Sequence, residues 1–288
     1  MDWIIGLAGS LVIAGAAYWK RSLSGSGLAA AAAVGTVMYA LGSSVWFGTL
    51  IAFFVSSTLL TRWKRKAKEL AESAYEKSGR RDAGQVLANG GIAAILCAAN
   101  AVWPHPFWWY SFLGVMAAVT ADTWATEIGG FSRTPPRSIL SGKRVPPGTS
   151  GGVSGLGLAA TMAGGLFIGA MAWLLLFIPG QSSPDEGALT GVTVSGSASD
   201  GLRLAFWVLV AWVGGTIGSL ADSLLGATCQ LMYRCDVCGR DIEQKAHCGR
   251  PARRIRGFAG WNNDAVNIAG SAAGGAAAVA SAAILGLL

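Results

Sequence analysis

The sequence predicts an all-α polytopic membrane protein of about eight transmembrane helices, with both termini outside and its site-bearing helix ends converging on the cytoplasmic side. Three observations carry that prediction. The 288 residues are 52% hydrophobic and only 13% charged, against about 25% charged in an ordinary soluble domain. Several apolar runs approach or exceed the roughly 20 residues that cross a bilayer. The 41 glycines, set among many alanines, suit membrane helices, where small residues let backbones approach closely. Together they read as a single integral membrane domain over residues 1–288, a multi-pass protein of the cell membrane surrounded by the lipid bilayer.

The first run, Trp3 to Trp19, ends at Lys20 and Arg21, and Ser22 to Gly27 is a small-residue turn. The run lacks a basic n-region, so no cleavable signal peptide is expected. Leu28 to Leu60 is apolar for 33 residues, too long for one ordinary span. Leu41-Gly42-Ser43-Ser44 marks a tight turn that divides it into two short helices. Arg62 to Arg81 is charged and helix-forming, an interfacial or cytoplasmic helix. Gln85 to Val102 is the fourth span, and Trp103-Pro104-His105-Pro106 turns into the fifth, Phe107 to about Ile128. A loop rich in Pro, Gly and Ser leads to the sixth, Val153 to Ile178. Pro179 to Asp200 is polar, with acids but no Lys or Arg. The seventh run extends from about Leu202 to Met232, and the last starts near Trp261. Trp3, Trp19, Trp46, Trp63, Trp103, Trp108 and Trp109 all fall near run ends, where an aromatic belt is expected.

Strict alternation puts residues 20–27, 62–84, 129–152 and 233–260 on one side. These segments hold 2, 8, 4 and 7 of the 22 Lys and Arg, leaving only Arg203. Such charge collects on cytoplasmic loops. The basic helix or loop at 62–84, the Gly/Pro-rich loop at 129–152 and the Cys-containing loop at 233–256 are therefore assigned to the cytoplasm. The net charge of +7 is accounted for by topology, and no nucleic-acid partner is expected.

Orientation sets the depth of the polar residues. Asp122 and Glu127, in the stretch ADTWATEIGG from Ala121 to Gly130, lie at the inner end of span five. Asp222 and Ser223 occupy the same level of span seven, in the partial echo ADSLLGAT from Ala221 to Thr228. Asp82, Gln85 and Asn89 open span four. Asn262, Asn263, Asp264 and Asn267 open span eight, with Asp264 and Asn267 three apart and Asn263 and Asn267 four apart, so one face carries several of them. Carboxylates are costly in hydrocarbon, and each buried polar group needs a partner. Two readings stand: the acids pair with Arg or Lys and hold helices together, or they share a cation or phosphate. On the second reading the donors suit Mg²⁺, with Asp82, Asp122, Asp222 and Asp264 as ligands, and Glu127 secondary.

Lys143 and Arg144 precede Pro146-Pro147-Gly148-Thr149-Ser150-Gly151-Gly152. Backbone N–H groups there, at the start of span six, could hold an anion; the same residues also make an ordinary turn. The order is not that of a Walker A loop. Arg256 could add charge neutralisation, whereas Arg253 and Arg254 read as topogenic. Cys235-x2-Cys238 is followed by His247 and Cys248, and Cys229 precedes it by six residues. Tetrahedral Zn²⁺ ligation by four cysteines, or by three and the histidine, needs those donors. Free thiols are the other reading, since a cytoplasmic location disfavours disulfides.

The segments ADTWATEIG, PPGTSGGVSGLG (Pro146 to Gly157), ADSLLGA and GFAGWNNDAVNIAG (Gly257 to Gly270) occur in this order along nearly the whole chain. In them the chain resembles a family of integral membrane proteins, long described as a domain of unknown function, that includes the chloroplast phytyl-phosphate kinase. The resemblance implies transfer of a phosphoryl group from a nucleoside triphosphate, CTP preferentially, to a prenyl monophosphate. It singles out Asp122, Thr123 and Glu127, Gly148 to Gly151, Asp222 and Ser223, and Asn262, Asn263, Asp264 and Asn267. The expected catalytic set is Asp122, Glu127, Asp222 and Asp264. Asn89, Thr123, Lys143, Arg144, Gly148, Thr149, Ser150, Gly151, Ser223, Arg256, Asn262, Asn263 and Asn267 are expected around substrate and nucleotide. Phytyl, geranylgeranyl, farnesyl or another polyprenyl phosphate fits equally, and a homodimer is allowed. The competing expectation is a transporter of a phosphorylated or anionic solute, which the echo between spans five and seven favours.

Overall fold

The computed structural model describes residues 1–42, 44–63, 80–176 and 198–288. Most of the expected basic helix, at 64–79, lies outside them, as do Ser43, the polar stretch up to 197 and the Arg203 side chain. Eight helices of 17 residues or more run through the described residues. They are α1 (Asp2–Trp19), α2 (Gly25–Leu41), α3 (Ser44–Arg62), α4 (Ala83–Val102), α5 (Pro106–Gly129), α6 (Gly155–Leu176), α7 (Ala198–Thr228) and α8 (Asn263–Ile284). Six are long and apolar enough to cross a membrane, and α2 is a shorter apolar helix. The chain is thus a mostly helical, multi-pass integral membrane protein.

Side chains at the chain's own turns start these helices. Ser24 Oγ accepts from Gly27 N at 3.1 Å, His105 Nδ1 from Phe107 N at 3.1 Å and Asn262 Oδ1 from Ala265 N at 3.1 Å. Each answers a helix N–H that has no intrahelical acceptor.

α5 is the exception among the long helices. It is not among the six helices apolar enough to cross a membrane by length and composition, and it runs through the middle of the bundle. Every residue from Trp109 to Ala121 is buried. Contact with protein on all sides admits Tyr110, Ser111 and Thr120, which a lipid-facing helix would disfavour. α6, α7 and α8 pack around α5, and α4 flanks it. α1 lies on α2, α2 on α4, and α3 against α5 and α6.

Glycine sets the spacing of this core. A Cβ added at Gly164 would stand 2.8 Å from the Ala121 Cα, and one at Gly215 2.9 Å from the Gly165 Cα. One at Gly114 would stand 2.5 Å from the Gly274 carbonyl. The backbones of α5, α6, α7 and α8 therefore touch without intervening side chains, the geometry small residues permit in membranes. At the opposite end from the basic segments, Trp46 and Trp109 (ring centroids 5.2 Å apart) and Trp109 and Trp207 (5.1 Å) form an aromatic plug. Trp46 and Trp109 are thus core residues, not belt residues, and Trp207 Nε1 donates to Tyr110 Oη at 3.1 Å. Trp3, Trp19, Trp63 and Trp103 are exposed, as a belt requires.

The end of the seventh run and the cysteine segment differ from the sequence expectation. α7 stops at Thr228, and Met232 belongs to a strand. The cysteine segment is not a plain loop: β3 (Met232–Arg234), β4 (Asp241–Ile242) and β7 (Arg253–Arg256) form a sheet in the order β4-β3-β7, with a small hairpin of β5 (Ala246–His247) and β6 (Arg250–Pro251) beside it. The Gly/Pro loop is closed by β1 (Arg137–Ser138) against β2 (Gly152–Val153).

The described parts of the four basic segments meet at one end of the bundle. Ser24 N donates to the Arg81 carbonyl at 3.0 Å, and Arg81 N to the Ser22 carbonyl at 2.9 Å. An Arg62 guanidinium nitrogen donates to the Lys20 carbonyl. The Trp63 and Phe131 rings meet at 5.1 Å, and Arg256 Nη2 donates to the Ser150 carbonyl at 3.4 Å.

Candidate functional site

Polar residues from four helices line one small cavity: Asn89 of α4, Asp122 of α5, Asp222 of α7, and Asn267 and Ser271 of α8. The local sequence makes room for them. Gly218 and Gly270 sit on the same wall, and a Cβ added at Gly270 would lie 2.9 Å from the Asp222 Cβ. α8 can therefore rest directly against the carboxylate-bearing turn of α7. Asp122 Oδ1 accepts from Ser219 Oγ at 3.5 Å, and Ser219 in turn meets Thr161 of α6 at 3.4 Å. Asp222 faces the like charges of Asp122 and Glu243.

A larger cavity lies between α1, α2, α3 and α4. Its walls are apolar, with Ile13, Val34, Phe47, Leu50 and Phe54, and its polar patch is Arg81, Gln85 and Asn89 together with Ser10. Asn89 borders both cavities. Arg81 is tied by its backbone to the first turn, as described above. Burial pushes its guanidinium below the ordinary arginine value, while the charge of Glu127 opposes that shift.

The remaining expected residues are distributed as follows. Glu127 accepts from Thr61 Oγ1 at 2.6 Å and faces Arg81, so it joins α3, α5 and the entry to α4. Asp82 is the N-cap of α4 in a capping box: its Oδ1 accepts from Gln85 N at 2.9 Å, and Gln85 Oε1 accepts from Asp82 N at 3.3 Å. Its carboxylate serves the helix start rather than the acid cavity, so the expected grouping of four aspartates does not form around it. Asp264 stands in the first turn of α8, one turn from Asn267, and is not on the cavity wall among the described residues. Asn262 is the α8 cap and Asn263 the first helical residue. Thr123 Oγ1 donates to the Val119 carbonyl at 2.8 Å.

The Gly/Pro loop folds partly on itself. Thr149 Oγ1 donates to the Pro146 carbonyl at 2.7 Å, and Gly152 N to the Thr149 carbonyl at 2.9 Å. Gly148 and Gly151 take the left-handed conformation, φ 81° and 79°, which favours glycine. Gly151 lies directly on α7: an added Cβ would stand 2.9 Å from the Ser223 carbonyl. Ser150 Oγ donates to Gln230 Oε1 at 2.5 Å. Lys143 and Arg144 are exposed at the loop's tip, away from the cavity walls. Arg256 reaches the loop and also donates to the Ala227 carbonyl; burial pushes its guanidinium down, and Asp241 opposes the shift.

Cys235, Cys238, His247 and Cys248 converge, with ligand atoms all within 4.8 Å of one another. Cys229, at the end of α7, stands outside this group. The backbone N–H of Cys238 is first among the contacts that hold the Cys235 thiol down, at about 6. Loss of hydration, then the neighbouring sulfurs, push Cys248 up to about 11. Between the two ligand pairs lies Glu243, whose Oε1 accepts from Gln230 Nε2 at 2.9 Å.

Arg81, Ser219, Gln230 and Glu243 were not singled out by the sequence. Arg81 was hidden in a basic run whose charge topology already explained. Gln230 and Glu243 flank the CxxC motif, which drew attention to thiols rather than to its polar neighbours.

The sequence profile described as integral membrane protein DUF92 matches residues 8–275. Protein PGR of Arabidopsis thaliana is 29% identical over 276 residues, covering 90% of this chain and 88% of that protein. The uncharacterized membrane protein MJ0933 of Methanocaldococcus jannaschii is 28% identical over 72% of this chain and 75% of its own length. Protein VTE6, chloroplastic, of Arabidopsis thaliana is 26% identical over 79% and 63% respectively. No solved structure matches.

Proposed function

The chain belongs to the DUF92 family of integral membrane proteins, and from that premise we propose that it is a prenyl-phosphate kinase: it transfers the γ-phosphoryl group of CTP, or another nucleoside triphosphate, to a prenyl or polyprenyl monophosphate. The reaction runs at the cytoplasmic face of the cell membrane, where the four basic segments lie. One observation carries this reading. Asn89 is shared between an apolar cavity of lipid-chain character and a small cavity walled by carboxylates and amides. A substrate with an apolar tail and an anionic head needs that adjacency, and the family resemblance supplies the same substrate class.

In the reaction, an oxygen of the prenyl phosphate attacks the γ-phosphorus in line, the bond from that phosphorus to the β–γ bridging oxygen breaks, and the nucleoside diphosphate departs. Such transfer depends on positioning and charge neutralisation rather than covalent chemistry by the protein. Ile13, Phe47, Leu50 and Phe54 hold the tail. Arg81, Gln85 and Asn89 orient the head group, Arg81 supplying positive charge. The Gly148–Gly151 loop and Arg256 receive the nucleotide phosphates from the loop side. Asp122 and Asp222, with Asn267 and Asn89 beside them, form a hard-oxygen donor set that fits Mg²⁺; two carboxylates facing each other would otherwise repel both one another and phosphate. Bound Mg²⁺ would neutralise phosphate charge. A phosphate monoester is already ionised, so no general base is required of these acids.

The test is to purify the full chain in detergent and add Mg²⁺, labelled CTP or ATP and a panel of prenyl monophosphates. Labelled prenyl diphosphate is expected. Asp122→Asn and Asp222→Asn should each lower the rate by on the order of 100-fold, about 2.7 kcal/mol of barrier, with the melting temperature retained. No nucleotide-dependent product across the panel, together with uptake of an anionic solute by proteoliposomes, overturns the proposal in favour of a transporter.

A further inference from the structure

We propose that Cys235, Cys238, His247 and Cys248 bind one structural Zn²⁺, and that this ion fixes the segment whose Glu243 pairs with Gln230 just beyond the end of α7. The four donors are not neighbours by sequence alone. Cys235 and Cys238 sit on the turn after β3, closed by Gly239 N donating to the Cys235 carbonyl at 2.8 Å and by Cys235 N donating to the Arg240 carbonyl at 2.9 Å. Gly239 takes φ 71° there. His247 ends β5, and Cys248 follows it on the turn into β6, where Gly249 takes φ 72° and even Cys248 takes φ 51°. A non-glycine residue rarely adopts that conformation, and here it turns the thiol toward the other donors.

The distances suit a metal. A tetrahedron with Zn–S arms of about 2.3 Å has edges of roughly 3.8 Å between sulfurs, and slightly shorter ones to a nitrogen. His247 Nδ1 lies 3.4 Å from Cys238 Sγ and 3.2 Å from Cys248 Sγ, and all four ligand atoms lie within 4.8 Å of one another. Three thiolates and an imidazole in a closed tetrahedral group select Zn²⁺ over hard-oxygen cations. The hairpin that carries the first ligand pair is small: β3 and β4 pair over only two residue positions, with the Arg234–Asp241 ion pair at 2.7 Å. Met232 and Ile242 are buried under this small sheet, and a metal would fasten the ligand-bearing turns that lie outside that contact.

The consequence reaches the candidate site. Glu243 lies between the two ligand pairs, accepts from Gln230 and faces Asp222, while Gln230 receives Ser150 of the Gly/Pro loop. The zinc site thus fixes the segment that joins the Gly/Pro loop to the end of α7. It stands apart from the kinase proposal, since metal content is measured without turnover.

The experiment is elemental analysis of the purified full chain, with Co²⁺ exchanged in as a spectroscopic probe. One zinc per chain is expected, with a sulfur-to-Co²⁺ charge-transfer band and tetrahedral Co²⁺ absorption. The double substitution Cys235→Ser, Cys248→Ser should lose the metal. Glu243→Gln should keep it, while a chelator with reductant should expose the Lys and Arg of 233–256 to trypsin. Substoichiometric zinc after growth in zinc-replete medium, iron in its place, or full zinc in the double variant each overturns the assignment; none of these results depends on whether a prenyl phosphate is the substrate.

Discussion

Gly151 shows how one residue can be required twice. Its φ of 79° is a conformation that costs an L-residue about 1–2 kcal/mol, and a Cβ placed there would stand 2.4 Å from the Ala227 Cβ. Gly142 has a similar φ of 66° but open space around it. Gly151→Ala should therefore lower stability by the conformational cost and a further ~1–3 kcal/mol of overpacking, and Gly142→Ala by the conformational cost alone. Thermal unfolding of the two variants in the same detergent separates these contributions; equal melting temperatures would place the loop away from α7. Gln230 raises a related point. It is buried and bridges Ser150 to Glu243. Gln230→Ala leaves both without that partner, a loss of about 1–3 kcal/mol where such groups stay buried.

At the scale of the element, the helices around α5 are held by close approach rather than by large side chains. A Cβ at Gly274 of α8 would meet the Ala118 Cβ at 2.6 Å and the Gly214 carbonyl at 2.8 Å. These neighbours are backbone or the root of a side chain, so neither can swing away. Gly274→Ala should destabilise by about 1–3 kcal/mol and, because Gly270 and Asn267 lie one and two turns nearer the acid cavity, should also disturb the placement of Asp222. Gly155→Ala, in open space at the start of α6, is the matched control. Helix propensity favours alanine there by up to about 1 kcal/mol, so its melting temperature should hold or rise. A fall at Gly155 as large as that at Gly274 would mean that backbone approach is not what holds the bundle.

For the whole molecule, the decisive arrangement is the gathering of the basic segments at one end. That end carries the acid cavity, the Gly/Pro loop and the cysteine module, and the proposed orientation places it in the cytoplasm. Cys238 and Cys248 are exposed there and serve as native reporters. A membrane-impermeant thiol reagent should leave them unmodified in intact cells and modify them after permeabilisation with a chelator present. Pro104→Cys, in the exposed turn at the opposite end, should react in intact cells. The reverse pattern would invert the topology and move the proposed chemistry to the other face.

Hydropathy and charge were enough to read a multi-pass helical chain, the division of the long run near Gly42, and the segments that share an end, because span length and loop charge act along the helix axes. They also set the level of Asn89, Asp122, Asp222 and Asn267, which do come together. They did not set rotation about each helix axis. Asp82 and Glu127 lie toward the same end as the cavity residues, yet one caps α4 and the other joins Thr61 and Arg81. Trp46 and Trp109 have the sequence positions of belt residues but point into the core. Rotation is decided by which glycines and alanines meet across helices, and those contacts link residues far apart in the chain. The same holds for Glu243, which meets Gln230 only once the cysteine module has folded back onto the end of α7. By itself, then, the sequence determined the membrane class, the helices and the helix ends that carry the polar residues, whereas tertiary packing decided which of them share a cavity.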